Sequence, residues 1–431
     1  MRSRLIAASL GLALSLGLLS ATEAPVSAKA GDYLNVVLTN TPDGNINVHW
    51  DKANGSKVTH YEVFTSTARL INVDVQSYSS NGPDVQDLVV PHAVGVTPNS
   101  GDYTFVKVRV FRSNGHNAGT PAKWIKPTPI APPATGTQVT LGTFNVRLWT
   151  AEDRKSKKIT AWPVRRKKVA RTILDSGAGV TFLQEVSGPP KLKVAGKKWQ
   201  FEDLVGLLPK KYKLTSRDLY KQRGRTAGSQ GSRIIYDSSK YSVLTTGYLK
   251  MPSFNIKLTR WVPWALFRVK ATGEEFYGLS VHLQSGDDKD GTLRRFNMRQ
   301  KQTDYLSAQL PKLSATGRAV YIGGDFNSTS NTKPYNNVHR TFVANGFYDA
   351  FATTSVTGDA FPTSNDFVFP VVPGPFRRDY LMSLGAPAGS YSYVNHVYQS
   401  ASQFASDHFM QSATMPVNPG PYTAAVRIGR R

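Results

Sequence analysis

The residues best suited to chemistry in this chain stand at the ends of apolar runs. Ala319-Val320-Tyr321-Ile322-Gly323-Gly324-Asp325-Phe326-Asn327 reads as a short buried strand closed by a glycine pair, and glycine lets a backbone turn with no Cβ penalty. Residues two apart in an extended segment point the same way, so Asp325 and Asn327 face one cleft while Phe326 enters the core. A carboxylate there can take a proton or hold a metal, and an amide can orient a phosphoryl oxygen. The arrangement recurs. Val180-Thr181-Phe182-Leu183-Gln184 ends in Glu185, and Phe276-Tyr277-Gly278-Leu279-Ser280-Val281 delivers His282. Asp379 opens the run Tyr380-Leu381-Met382, Asp407 and His408 precede Phe409-Met410, and Asn145 is the polar exception in Val139–Arg147. Singly, each suits a cap, a packed imidazole or a turn. Their repetition at successive strand ends does not.

The elements that must position these residues alternate. After the Val139–Arg147 strand, Trp162-Pro163 opens a helix with proline in its first turn. Val169, Ala170, Ile173 and Leu174 give it an apolar stripe, and Gly177-Ala178-Gly179 stops it before the next strand. Strand, helix, strand with polar residues at the strand ends is α/β architecture that presents a site along one sheet edge.

Residues 31–130 read differently. Short alternating runs such as Ile46–Trp50, His60–Phe64 and Tyr103–Phe111 are separated by Gly, Pro, Asn and Asp, the pattern of a β-sandwich. His49, His60, His92 and His116 lack metal-ligand spacing. Prolines 127, 129, 132 and 133 then mark a linker. At 431 residues, 40% of them hydrophobic, the chain suits two domains. The expected division is a signal peptide over 1–30, a sandwich over 31–126, the linker over 127–137 and an α/β domain over 138–431. The apolar run Leu5–Leu19 is too short to span a bilayer, which takes ~20 residues, and follows two arginines; a secreted, extracellular protein is expected. With 0 cysteines, disulfides and thiolate metal sites are excluded. Charge is divided as sharply: residues 31–130 hold 8 Lys+Arg against 8 Asp+Glu, and residues 131–431 hold 42 against 20. A positive field confined to one half points to a polyanionic partner.

Thr143-Phe144-Asn145-Val146, Gln184-Glu185-Val186, Val281-His282-Leu283, Gly324-Asp325-Phe326-Asn327, Arg378-Asp379-Tyr380 and Ser406-Asp407-His408 resemble, in order and spacing, the motifs of the endonuclease/exonuclease/phosphatase superfamily, the fold of deoxyribonuclease I. The likeness covers about residues 139–415. It implies a four-layer α/β sandwich and hydrolysis of phosphate esters with a divalent metal, Mg²⁺ first, Mn²⁺ or Ca²⁺ as alternatives. By that resemblance Glu185 is the principal metal ligand, with Asn145 beside it and Asp407 at a second position. His408 contacts the scissile phosphate and is oriented by Asp379, Asp325 handles the attacking water, Asn327 holds a phosphate oxygen, and His282 stands across the phosphate. Two departures are Gly179, where an acid usually precedes the Gln-Glu strand, and Arg378 in place of a branched aliphatic. The second leaves Asp366 as a fallback for Asp379. The first segment resembles a fibronectin type III module, a binding or spacing unit for an extracellular polymer or surface, through Trp50, Tyr61-Glu62-Val63 and the Tyr103–Phe111 strand.

These features predict a monomeric, Mg-dependent phosphodiesterase, a rather non-specific nuclease on DNA or RNA. Arg154–Lys158, Arg165–Lys168, Arg223, Arg225, Arg233 and Arg260 are expected to meet the phosphate backbone. Val281-His282-Leu283-Gln284-Ser285 also resembles bacterial sphingomyelinases, so a phospholipid phosphodiesterase is the alternative. An inactive adhesin would show decayed motifs, and these are intact. The neutral first segment holds none of them, so a fragment starting near Thr135 is expected to fold and cut alone.

Overall fold

The computed structural model describes residues 34–429 apart from 56, 116, 150–159, 187–198, 217–230, 255–258, 287, 289–291 and 375. The expected signal peptide, His116, the Arg154–Lys158 cluster, Arg223 and Arg225 lie outside the described residues.

From residue 138 onward two mixed sheets stack face to face. One runs, in spatial order, Tyr212–Leu214, Arg233–Asp237, Val180–Gln184, Gln138–Asn145, Gln411–Pro416, Ser392–Asn395 and Val356–Thr357. The other runs Tyr241–Lys250, Trp261–Val269, Glu275–His282, Ala319–Asp325, Asp379–Leu384 and Tyr348–Asp349. Leu141, Phe182 and Ile234 of the first meet Phe267, Phe276, Tyr321 and Leu381 of the second in a core between the sheets. The helix Trp162–Asp175 covers the outer face of the first sheet through Val169 and Ile173. Leu306 of the helix Arg294–Gln309 and Phe342 of Asn337–Ala344 cover the second. The four layers are those expected.

The glycine pair does not turn the chain. Gly323 and Gly324 lie inside the strand Ala319–Asp325, and what they supply is closeness. A Cβ at Gly323 would overlap the Phe182 ring of the facing sheet, and one at Gly324 the Val281 carbonyl next to it. The turn comes later, at Asn327, whose φ is 51°.

Residues 36–125 form two antiparallel sheets. Val36–Asn40, Ile46–Trp50 and Asp87–Val90 make the smaller, and Val58–Ser66 and Thr104–Arg112 are central to the larger. Trp50, Tyr61, Val63, Val108 and Val110 fill the core between them. This unit is not held at a distance. Tyr103 and Phe105 belong to the same apolar cluster as Tyr348, Ala350 and Phe351 of the α/β part. The Asp349 amide donates to the Asn99 carbonyl at 2.9 Å. The Lys126 ammonium lies 4.3 Å from the Phe351 ring centre. Even the proline-rich stretch is packed, since the Tyr391 hydroxyl donates to the Pro133 carbonyl at 2.7 Å.

At the centre of this contact is a charged cluster. His339, fully buried, has Nδ1 2.8 Å from Asp102 and Nε2 2.9 Å from Asp349. Arg377 reaches Asp349 at 2.8 Å and Asp102 at 3.3 Å. Burial works against charge on His339, but Asp102 and Asp349 raise its pKa from 6.5 to about 9. A folded pKa above the unfolded one stabilises fully below pH ~6.5, and that stabilisation is lost as pH rises through about 9. The melting temperature of the wild type is therefore expected to fall between pH 6 and 9.5 by more than that of His339→Gln. Parallel falls in the two proteins would remove His339 from the account.

Candidate active site

Strand register assembles the site. Gln184 pairs with Asn145 in the first sheet; in the second, His282 pairs with Asp325 and Asp325 with Asp379. The carboxyl ends of four strands thus share one edge, and Asp379 enters it from an antiparallel neighbour. Arg147, Glu185 and Asn327 leave these strands with φ of 56°, 57° and 51°. Left-handed backbone in a non-glycine residue is uncommon and costs on the order of 1 kcal/mol or more, and it gathers at functional sites.

The side chains converge. Asn145 Nδ2 donates to Glu185 Oε1 at 3.2 Å and to Asp325 Oδ2 at 3.1 Å, which holds two carboxylates around one point. The other Glu185 oxygen accepts the Leu148 amide at 3.0 Å. His282 Nε2 lies 3.7 Å from Asp325 and 4.0 Å from Glu185. His408 Nε2 lies 3.9 Å from Asp325, while its Nδ1 is 2.9 Å from Asp379 Oδ2. Asp379 is itself fixed by the Thr363 hydroxyl, which donates at 2.7 Å. The Asn327 amide nitrogen donates to the Leu283 carbonyl at 3.1 Å, and its backbone N–H donates to Asp325 Oδ1 at 2.8 Å.

Burial, then the Asp379 carboxylate, push the Asp325 pKa up. Burial opposes charge on His408, yet Asp379, Asp325 and Asp407 raise its pKa to about 10. Near neutral pH the pair is thus an imidazolium with its Nδ1 locked to Asp379, facing a carboxylate readier than usual to take a proton. Arg260 lies beneath. Its guanidinium donates to the His282 carbonyl at 3.1 Å and to the Ser285 hydroxyl at 3.2 Å; burial lowers its pKa to about 10, opposed by Asp325 and Glu185.

A model of the endonuclease/exonuclease/phosphatase family matches residues 142–408, a span that begins just before Asn145 and ends on His408. The chain belongs to the endonuclease/exonuclease/phosphatase family. Among solved structures, an endonuclease/exonuclease/phosphatase from Bacteroides vulgatus shares 21% identity and a TM-score of 0.50, covering 65% of this chain and 100% of its own. A family protein from Bacteroides thetaiotaomicron shares 19% identity with a TM-score of 0.51, covering 66% and 99%. At these identities the likeness is one of fold. No curated protein matches the sequence. Membership makes the chain a phosphoesterase.

Within this family member not every expected residue faces the site alike. Asp379, and not Asp366, holds His408. The Asp407 carboxylate is engaged by Arg147 at 2.6 Å; burial would raise its pKa, but His408 and Arg147 hold it below the usual range. Arg233 and Arg165 were expected at the phosphate surface and are buried instead. The Arg233 guanidinium packs 5.1 Å from the Phe201 ring centre. Arg165 donates to the carbonyls of Val146, Arg147, Thr160 and Ala405, tying the helix to the site loops. Arg166 pairs with Asp203. Thr363 went unread because a threonine in an irregular loop carries no sequence signal.

The donors present fit a hard divalent cation. Asp325, Asp379 and His408 have ligand atoms within 4.8 Å of one another, and the Nδ1 of His408 is already engaged by Asp379. Glu185 and Asp325, bridged by Asn145, are an oxygen pair that would hold the metal, and two carboxylates drawn to one amide nitrogen, one of them buried, are what a cation would relieve. When bound, it would supply Lewis-acid polarisation of a phosphoryl oxygen. Around it, His408, with its Nδ1 held by Asp379, would present positive charge to the phosphate, and Asp325 would be the carboxylate facing the attacking water.

Proposed function

We propose that the protein is a secreted, Mg-dependent phosphodiesterase acting on nucleic acid as a rather non-specific nuclease. The observation that carries this reading is where the charge lies. Lys+Arg exceed Asp+Glu by 42 to 20 in residues 131–431 and balance at 8 to 8 in residues 31–130. A cleft of about 520 Å³ continues from Asn327 past Arg299, Lys333 and Arg378, and could take the phosphates flanking the scissile one. The division into a signal peptide, a fibronectin type III-like sandwich, a linker and a catalytic domain belongs to the same proposal, as does attachment of the sandwich to an extracellular polymer or surface.

One feature favours the phospholipid alternative. Val368, Phe369 and Val372 are exposed on the loop beside Asn365 and Asp366, whose amides donate to the Asp407 carbonyl at 2.7 and 3.3 Å. An apolar rim of this kind suits a membrane surface. Among the described residues no helix is long and apolar enough to cross a membrane.

Salt separates the two. A protein that neutralises about five phosphates releases condensed counterions, so affinity for DNA is expected to fall with a log–log slope near −4 to −5. Hydrolysis of plasmid DNA, RNA and sphingomyelin vesicles is compared with Mg²⁺ across a salt series. Steep salt dependence on a polynucleotide supports the nuclease. Salt-insensitive cleavage of DNA with robust turnover of vesicles transfers the assignment to the lipid enzyme.

A further inference from the structure

We propose that Asp102, outside the span that matches the family, is a positioning residue of the active site. The proposal rests on the phosphodiesterase reading above, and it extends the catalytic scaffold into the all-β segment. Asp102 lies just before the Thr104–Arg112 strand and reaches across to His339 at 2.8 Å and Arg377 at 3.3 Å. Two routes lead from these cations to the chemistry.

The first is along the backbone. Arg377 is two residues before Asp379, and it is almost entirely buried. With Asp102 on one side and Asp349 on the other, its guanidinium fixes where the Asp379–Leu384 strand begins, and so where Asp379 meets His408. The second route is a stack of rings. His339 lies against Tyr380 with centroids 5.0 Å apart, and Tyr380 lies against Phe326, also at 5.0 Å. Phe326 is the residue between Asp325 and Asn327. The Tyr380 hydroxyl closes the loop by donating to the Arg377 carbonyl at 2.9 Å. The residues on either side of the scissile position thus rest on one charged layer, and Asp102 supplies half of its negative charge.

A second tie between the same two parts, Arg340 to Asp74, lies on the same helix next to His339 but touches neither Arg377 nor the stacked rings, and serves as the contrast. Full-length Asp102→Asn, Asp102→Glu and Asp74→Asn are compared with wild type on bis(p-nitrophenyl) phosphate with Mg²⁺, well below each melting temperature. Asp102→Asn is expected to lower kcat about tenfold or more with KM little changed, and Asp102→Glu to restore most of it. Asp74→Asn is expected to melt earlier at unchanged kcat. A readout independent of turnover is the imidazole Nδ1 proton of His408 in histidine-labelled protein, which Asp102→Asn is expected to shift and Asp74→Asn to leave in place. Equal kcat and an unmoved His408 signal in folded Asp102→Asn would overturn the proposal. Failure of the wild type on every phosphodiester would instead strike the phosphodiesterase reading, and the His408 signal would still decide the role of Asp102.

Discussion

Glu185→Gln is expected to reduce hydrolysis of a phosphodiester by about a thousandfold or more while leaving the melting temperature nearly unchanged. Its carboxylate is one of the two that Asn145 brings together, at 3.2 Å and 3.1 Å from the same amide nitrogen. Glutamine keeps the shape and can still accept the Leu148 amide, so the fold loses little. What it removes is the negative charge that would hold a divalent cation, and several kcal/mol of transition-state stabilisation correspond to about three orders of magnitude in rate. The companion result is that EDTA abolishes activity and excess Mg²⁺ or Mn²⁺ restores it. Full turnover in chelator, or a Glu185→Gln enzyme that works at the wild-type rate, would dismiss the metal site.

Deleting residues 1–134 is expected to destabilise the remainder severely, lowering its melting temperature by 10 °C or more or leaving it insoluble. The deletion strips cover from Phe351, Tyr348 and Ala350, which cluster with Tyr103 and Phe105. Re-exposing two or three large apolar side chains costs about 5 kcal/mol, worth roughly 10 °C at the usual 2–4 °C per kcal/mol for a domain of this order of size. It also takes Asp102 from Arg377 and His339. A fragment starting near Thr135 that melts and turns over like the full chain would restore the autonomous catalytic domain expected from the sequence.

The packing between the two parts argues against that expectation, and the sequence could not have shown it. The sequence shows that residues 31–130 are neutral, β-patterned and followed by prolines. It does not show that Gly101 fits against the Ala352 backbone, or that Asp102 faces His339 in another part of the chain. Contacts between units leave no periodicity. The catalytic edge was legible for the opposite reason: each of Asn145, Glu185, His282 and Asp325 ends an apolar strand, and strand ends are what periodicity reveals best. Two expectations that the structure does change share a cause. Arg165 and Arg233 look like phosphate contacts in a basic chain, and only packing shows Arg165 capping backbone carbonyls and Arg233 lying on an aromatic ring. A glycine pair reads as a turn because the sequence cannot show the Phe182 ring pressing on that strand from the facing sheet.

The strand Gln411–Pro416 is inserted between Gln138–Asn145 and Ser392–Asn395, so the earliest and latest strands of the α/β part are central neighbours. For a chain emerging from the ribosome this sets an order of events. Asn145 is made early, yet the strand that carries it has one edge open until nearly 270 further residues have been synthesised. Pairing across so great a separation is slow and leaves sheet edges exposed meanwhile. Phosphoesterase activity should therefore appear only after synthesis is nearly finished, and chains stalled before residue 411 should be inert and prone to aggregate.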